Sequence, residues 1–296
     1  DLVHWEHLGI ALFPTKAYDQ NGVFSGSAID KDGRLHLYYS AVRYLETDAE
    51  NIHVAPNDHY ETSQAMIVSE DGYHFDNWKD KRKIIPVVMD EETANRAHTR
   101  DPKVWKDGEH YYMVLGSTYK EQGGRVLFYR SKDAVEWEYV NQCRSSSFGR
   151  ILECPDLFEL PVGDTGRKKW VLLCNLNPGG IFGGSATQYF IGDFDGRQFT
   201  ADTDADGKVP TKWLDYGKDH YATVSWSDAP DDRRTVIGWM SNWQYAAEVP
   251  TMQYRSANTL PRDIELFEGA DGQIYAASVP SPELTALRDK AVVKRA

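Results

Sequence analysis

One spacing constrains this chain more than any other. An aspartate is followed four residues later by an aromatic side chain in Asp1 to Trp5, Asp71 to Phe75, Asp133 to Trp137 and Asp195 to Phe199. Successive aromatic positions lie 70, 62 and 62 residues apart. Between them run short alternating apolar stretches bounded by Asp-Gly, Asn-Gly and Gly-Gly turns, with almost no amphipathic helical stretch. The chain therefore reads as all-β. A self-similar unit of about 65 residues, room for about four strands, is the signature of a β-propeller blade.

Residues 35–39, 111–115, 170–173 and 235–239 each follow a polar turn and read as the second strand of a hairpin. Inner strands are expected to begin near Phe24-Ser25-Gly26-Ser27, Arg100-Asp101-Pro102, Glu153-Cys154-Pro155-Asp156 and Asp219-His220-Tyr221-Ala222. The four aspartate–aromatic copies mark outer strands, and residues 260–267 supply a fifth. Five outer strands against four inner ones predict a five-bladed β-propeller over residues 1–280, its blade one incomplete because the innermost strands lie upstream of residue 1. Residues 281–296 read as a linker that opens with a short helix from Ser281 to Lys290. The glycine-rich run 179–184 lacks the lysine and the strand–loop–helix setting of a phosphate cradle, and reads as a flexible connection.

Charge and cysteine usage narrow the partners. With 33 basic against 45 acidic residues the net charge is −12, which argues against a nucleic-acid or anionic-membrane partner and suits a neutral substrate. No apolar run approaches the roughly 18 residues of a membrane-spanning helix. Cys143, Cys154 and Cys174 are too few for a disulfide framework and read as free thiols or one pair. No metal or cofactor is expected, and His53, Asp58 and His59 read as a polar loop. Nine Trp and 17 Tyr suit either sugar stacking or ordinary cross-strand packing.

Two charged strand tips carry the chemistry. Glu153 opens one apolar run and Asp101, beside Arg100, opens another, each just ahead of a proline that marks a strand start. Taken singly, Glu153 also reads as a solvated strand-end carboxylate and Asp101 as half of a rim salt bridge. Equivalent places on neighbouring blades favour a shared site. Acid-assisted cleavage of a glycosidic bond needs such a pair, one carboxylic acid to protonate the leaving oxygen and one carboxylate for the positive, oxocarbenium-like centre. Glu153 is the candidate general acid/base, and an apolar surround with nearby carboxylates is expected to raise its pKa.

These motifs, with the opening Asp1-Leu2-Val3-His4-Trp5 and the run Gly238-Trp239-Met240-Ser241-Asn242-Trp243, resemble the β-fructofuranosidases of glycoside hydrolase family 32: invertases, levanases and exo-inulinases. The resemblance covers almost the whole chain. It implies a retaining enzyme that hydrolyses terminal β-fructosyl bonds of sucrose or fructans on a five-bladed propeller, usually followed by a β-sandwich. Residue by residue, it implies Glu153 as acid/base and Asp101 as transition-state stabiliser. Arg100 becomes a sugar-binding arginine, Phe24 a pocket wall, Ser25 a hydroxyl contact and Trp243 a ring lining the fructose site, with Tyr221 facing the channel near the acid. A fructan-degrading member would work outside the cell or in the periplasm, and a sucrose-degrading one in the cytoplasm.

The sequence departs from the family pattern in one respect. The family's nucleophile is an aspartate in an Asn-Asp-Pro-Asn-type motif on the first inner strand, and these 296 residues hold no such motif. Asn21-Gly22 and Asn57-Asp58 are the nearest strings and read as turns. The sandwich is not expected within residues 1–296 either, so hydrolysis by this chain alone is expected to fail. Two rival readings stay open: a non-catalytic fructoside-binding propeller, and a related five-bladed glycosidase acting on arabinosyl or xylosyl units.

Overall fold

The computed structural model describes residues 1–120 and 122–288. Four antiparallel sheets follow one another along the chain. The first holds β1 (Gly22–Lys31), β2 (Arg34–Tyr44), β3 (Tyr60–Ser69) and β4 (Arg82–Ile85), each strand paired with the next. The second repeats this with β5 (Arg100–Asp107), β6 (His110–Thr118), β7 (Gly124–Ser131) and β8 (Glu138–Arg144). The third has β9 (Ile151–Pro161), β10 (Lys168–Asn177), β11 (Ala186–Phe194) and β12 (Phe199–Ala201), with the short β13 (Lys212–Trp213) also paired to β11. The fourth runs from β14 (Tyr221–Ser225) to β15 (Thr235–Met240), whose far end pairs with β16 (Ala257–Asn258), and on to β17 (Arg262–Glu268) and β18 (Ile274–Pro280). These are four blades of a propeller. The expected inner strands are β1, β5, β9 and β14, and the expected hairpin partners are β2, β6, β10 and β15.

Each inner strand packs on the next, β1 on β5, β5 on β9 and β9 on β14. Apolar side chains fill the spaces between blades because both faces of each central strand are covered, so β6 reads as a buried run rather than a clean alternation. Tyr38, Met66, Met113 and Leu127 lie between the first two blades. Val126, Leu152, Leu172 and Phe190 lie between the second and third. Phe158, Leu173, Ile191 and Ile264 join the third to the fourth. Each fully buried side chain of this size contributes about 1.5–3 kcal/mol. Much of the aromatic content sits in these seams: Trp105 stacks on Tyr112 at 5.5 Å and meets Trp170 and Phe194 at 6.2 and 5.9 Å. All three cysteines are free thiols.

The outer strands correct three expectations. The aspartate–aromatic pattern is a capped turn that leads into the outer strands β4, β8 and β12 rather than the whole of a strand: Asp71 Oδ1 accepts the backbone N–H of Tyr73 and His74, and Asp133 and Asp195 do the same for residues two and three further on. Such side-chain capping of a turn is what aspartate does well. Asp1 makes the same turn, accepting Val3 and His4 N–H at 3.1 and 2.8 Å, yet residues 1–5 form no strand. Residues 260–267 are not an outer strand either; they overlap β17, third in its sheet, and the outer β18 has its own turn from Asp271 to Tyr275. The expected helix after Ser281 is a 3₁₀ turn, Pro282–Leu287, and the rest of the expected linker, 289–296, lies outside the described residues. The run 179–184 is a bonded turn, not a loose one. Gly179 and Gly180 N–H both reach Gly184 O at 3.0 and 2.9 Å, and Asn242 Nδ2 donates to Gly183 O at 3.3 Å.

Candidate active site

The four inner strands share one irregularity at one level. Pairing slips between Phe24 and Gly26, between Arg100 and Lys103, opposite Leu173 to Asn175 at Cys154, and between Tyr221 and Val224. Each slip is a β-bulge, which bends the strand and re-aims the side chain before it. Asp101, Cys154 and Ala222, at the bulges of β5, β9 and β14, have φ of 64°, 42° and 51°. Non-glycine residues rarely adopt this left-handed conformation, which costs about 1–3 kcal/mol and clusters at functional sites. Phe24, Arg100, Glu153 and Tyr221 occupy equivalent positions just before the bulges. All four line one cavity of about 530 Å³.

Glu153 sits between a guanidinium and a phenol. Arg100 Nε and Nη2 reach its Oε1 at 3.0 and 2.9 Å, and the Tyr221 hydroxyl donates to Oε2. Burial, then the Glu153 charge, pushes the Tyr221 phenol well above its usual range, so it stays a donor. Arg100 Nη1 also reaches the Tyr60 hydroxyl and His98 Nδ1, both at 3.3 Å. Burial and the Arg100 charge lower the His98 pKa, which suits a neutral ring accepting from Arg100. The apolar surround expected of Glu153 is therefore not what the fold supplies.

That environment belongs to Asp101. It is 6% exposed, and burial first, with Glu153 adding to it and Arg100 opposing it, pushes its carboxyl up to about 6. Its Oδ2 accepts the Cys154 N–H at 2.8 Å, and its own N–H donates to Ser40 Oγ at 2.8 Å. Ser40 in turn donates to Gln64, whose amide reaches Thr99 O at 3.0 Å. Asp101 thus ties its own bulge to the next, rather than pairing with Arg100 at a rim.

The remaining expected residues line the same cavity: Phe24 and Ser25 on the β1 side, and Trp243, whose ring lies 5.1 Å from Trp239 at 55°, on the β15 side. Phe24 and Trp243 are 40% and 56% exposed, as rings offered to a ligand are. Sequence reasoning missed Trp239, Arg255, Tyr60 and His98. Trp239 had a signal, since it faces Tyr221 across the β14–β15 pair; Tyr60 opens β3 and His98 lies two residues before Arg100, while Arg255 arrives on the loop between β15 and β16. Below the bulges, Lys103 Nζ lies 3.2 Å from Asp156 Oδ2 and donates to Ser225 O, tying β5 to β9 and β14. Among the described residues no cluster of three or more His, Cys, Asp or Glu is placed to hold a metal ion.

A propeller whose axial pocket holds two carboxylic acids among guanidinium, phenol and indole groups is the form of a sugar-handling glycosidase domain. The chain belongs to the glycosyl hydrolases of family 32, the model of whose N-terminal domain matches residues 1–278. It is 38% identical over 299 aligned residues to a levanase from Bacillus subtilis, covering 97% of this chain and 40% of that protein. The crystal structure of an exo-inulinase from Aspergillus awamori superposes with a TM-score of 0.78 at 30% identity, covering 97% of this chain and 58% of that one. A fructofuranosidase from Schwanniomyces occidentalis, solved with fructose, gives 0.75 at 29% identity and covers 96% and 53%. The chain spans about half the length of the curated relatives it matches.

Proposed function

We propose that the intact protein is a retaining exo-β-fructosidase that releases terminal fructose from sucrose or from fructans such as levan and inulin. The observation that carries this reading is the meeting of Glu153, Asp101, Arg100 and Tyr221 in one cavity walled by Phe24 and Trp243. Glu153 protonates the glycosidic oxygen as its bond to the fructosyl C2 breaks. Arg100 and Tyr221, one on each carboxyl oxygen, fix where that proton points. Asp101 holds ring hydroxyls and stabilises the developing positive charge, while Ser25 adds a hydroxyl contact. A water then attacks the fructosyl–enzyme, giving its proton to Glu153 and restoring the carboxylate that had bonded C2.

That attacking carboxylate is the missing part, because Asp101 and Glu153 are the acidic residues lining the cavity. The nucleophile belongs to a further inner strand outside these residues, beside β1. Three features support a fifth blade there. A second cavity of about 360 Å³ lies between β1 and β14, the Asp1 turn is a further copy of the one that leads into outer strands, and the relatives are about twice as long. Residues 1–280 are the propeller portion, residues 281–296 lead toward a β-sandwich outside the chain, and this stretch alone is inactive.

The test is fructose release by the intact protein from sucrose, levan and inulin, with NMR identifying the first-formed anomer. β-Fructose from at least one substrate is expected. Release of nothing, with fructoside binding retained, would replace this reading with that of a binding module.

A further inference from the structure

Asn175 lies on β10, fully buried, opposite Glu153 in one ladder and Thr187 in the other. Its amide is fully used. Nδ2 donates to Cys154 O at 2.9 Å and Thr223 O at 3.2 Å, while Oδ1 accepts from Thr223 N at 3.0 Å and Thr187 Oγ1 at 2.6 Å. An amide offers two donors and two acceptor positions, so nothing is left over. The pair of bonds to Thr223 N and O is the pattern one peptide group makes with a facing strand. Asn175 acts as a substitute strand where β14 slips out of register with β15. The same side chain holds the carbonyl of Cys154, at the bulge of β9. It therefore joins two of the three left-handed bulges, each directly following a cavity residue, Glu153 and Tyr221. The network continues from Thr223 Oγ1 to Thr187 at 3.0 Å and to His220 Nε2 at 2.9 Å.

Resting on the fructosidase reading above, we infer that Asn175, supported by Thr187, is a positioning residue that locks the β9 and β14 bulges in phase and so sets the Tyr221–Glu153 contact that aims the acid. Asn175 touches no substrate. Its effect falls on the step in which Glu153 delivers a proton, and a misplacement of about 1 Å there costs on the order of 10²-fold.

Two variants test this in the intact protein. Asn175→Asp keeps the acceptor oxygen and turns the donor into an oxygen facing two carbonyls. Thr187→Val removes the bond to Oδ1 together with the contact to Thr223 Oγ1, with little change of shape, and decides the matter if the first variant does not fold. Kinetics are compared on sucrose, a poor leaving group, and on an aryl β-fructoside whose leaving group needs no proton. The expected result for Thr187→Val is a fall in kcat on sucrose of about 10-fold, KM within about 2-fold, and aryl fructoside turnover within about 3-fold, as loss of acid aim requires. Equal losses on both substrates that follow the drop in Tm, or no loss on either, would overturn the positioning role while the active wild type leaves the fructosidase reading intact. A wild type that releases fructose from neither substrate overturns both.

Discussion

Asp101→Asn tests the electrostatics of the cavity more directly than any change to Glu153. Asp101 is buried and its carboxyl is pushed from 3.8 up to about 6. The native state therefore binds a proton more tightly than the unfolded chain, and between about pH 4 and pH 6 folding takes up a proton. Stability must fall as pH rises through that window, the reverse of the usual carboxylate, and the cost is fully present above about pH 6. A shift of roughly two units corresponds to about 3 kcal/mol at neutral pH, absent near pH 4. Asparagine keeps an oxygen for the Cys154 N–H but cannot ionise. Urea unfolding of both proteins at pH 4 and pH 7 measures this. Relative to wild type, the variant should gain about 3 kcal/mol between pH 4 and pH 7, while turnover at pH 7 drops through kcat rather than KM. A stability difference that does not change with pH, or that moves the other way, refutes the account of Asp101 as a carboxylate held charged at the expense of stability.

Other outcomes are equally concrete. Glu153→Gln should lower sucrose turnover of the intact protein by about 10²–10⁴ and affect an activated aryl fructoside less, and equal losses on both would remove it from the acid role. Lys81→Met should destabilise the fold by about 3–5 kcal/mol in urea titrations, because Asp19 lies 2.7 Å from Lys81 with both side chains fully buried and would lose that cation. Burial raises the Asp19 pKa, but Lys81 and two backbone N–H groups hold it below 3.8 on balance, so its contribution is present above about pH 4 and disappears as pH falls through the lowered value. Gly26→Ala should cost about 3 kcal/mol or more and weaken fructose binding, since the new Cβ would lie 1.9 Å from Tyr38 O and push β1, with Phe24, out of place. Wild-type affinity in that variant would show that β1 does not position the pocket wall.

How far the sequence was legible depends on which link is asked about. The inner strands were legible because Arg100-Asp101-Pro102 and Glu153-Cys154-Pro155 combine a charged tip, a proline and an apolar run, and these begin β5 and close to the start of β9. The outer strands were miscounted because the aspartate–aromatic pattern encodes a capped turn. That turn precedes β8 and β12 closely, lies well before β4 and leads to no strand at Asp1. Within the site, neighbours along one strand were readable and partners across blades were not. Nothing local in Glu153 tells that Arg100 and Tyr221 hold its two oxygens, because those contacts join residues 53 and 68 positions apart. The same limit reversed the expected environments of the two carboxyl groups, since burial is set by the neighbouring blades rather than by flanking residues.

The bulges explain why the site can be built from a repeat at all. Regular inner strands would alternate their side chains between the two faces of each blade, where the seams are apolar and a charged side chain would be costly. A bulge at one level in every blade turns one position per strand toward the axis, and the repeat can then place Phe, Arg, Glu and Tyr there. The three left-handed residues carry strain of about 1–3 kcal/mol each. The bonds that oppose it are all between blades or between strands: Cys154 N–H on Asp101, Asp101 N–H on Ser40, and Cys154 O and Thr223 on Asn175. At about 0.5–1.5 kcal/mol each, and more where a carboxylate accepts, these bonds are of the size needed to hold the bulges. The groups that hold the strain also hold the strand positions of Glu153 and Tyr221, so stability and the geometry of this cavity are set by the same few side chains.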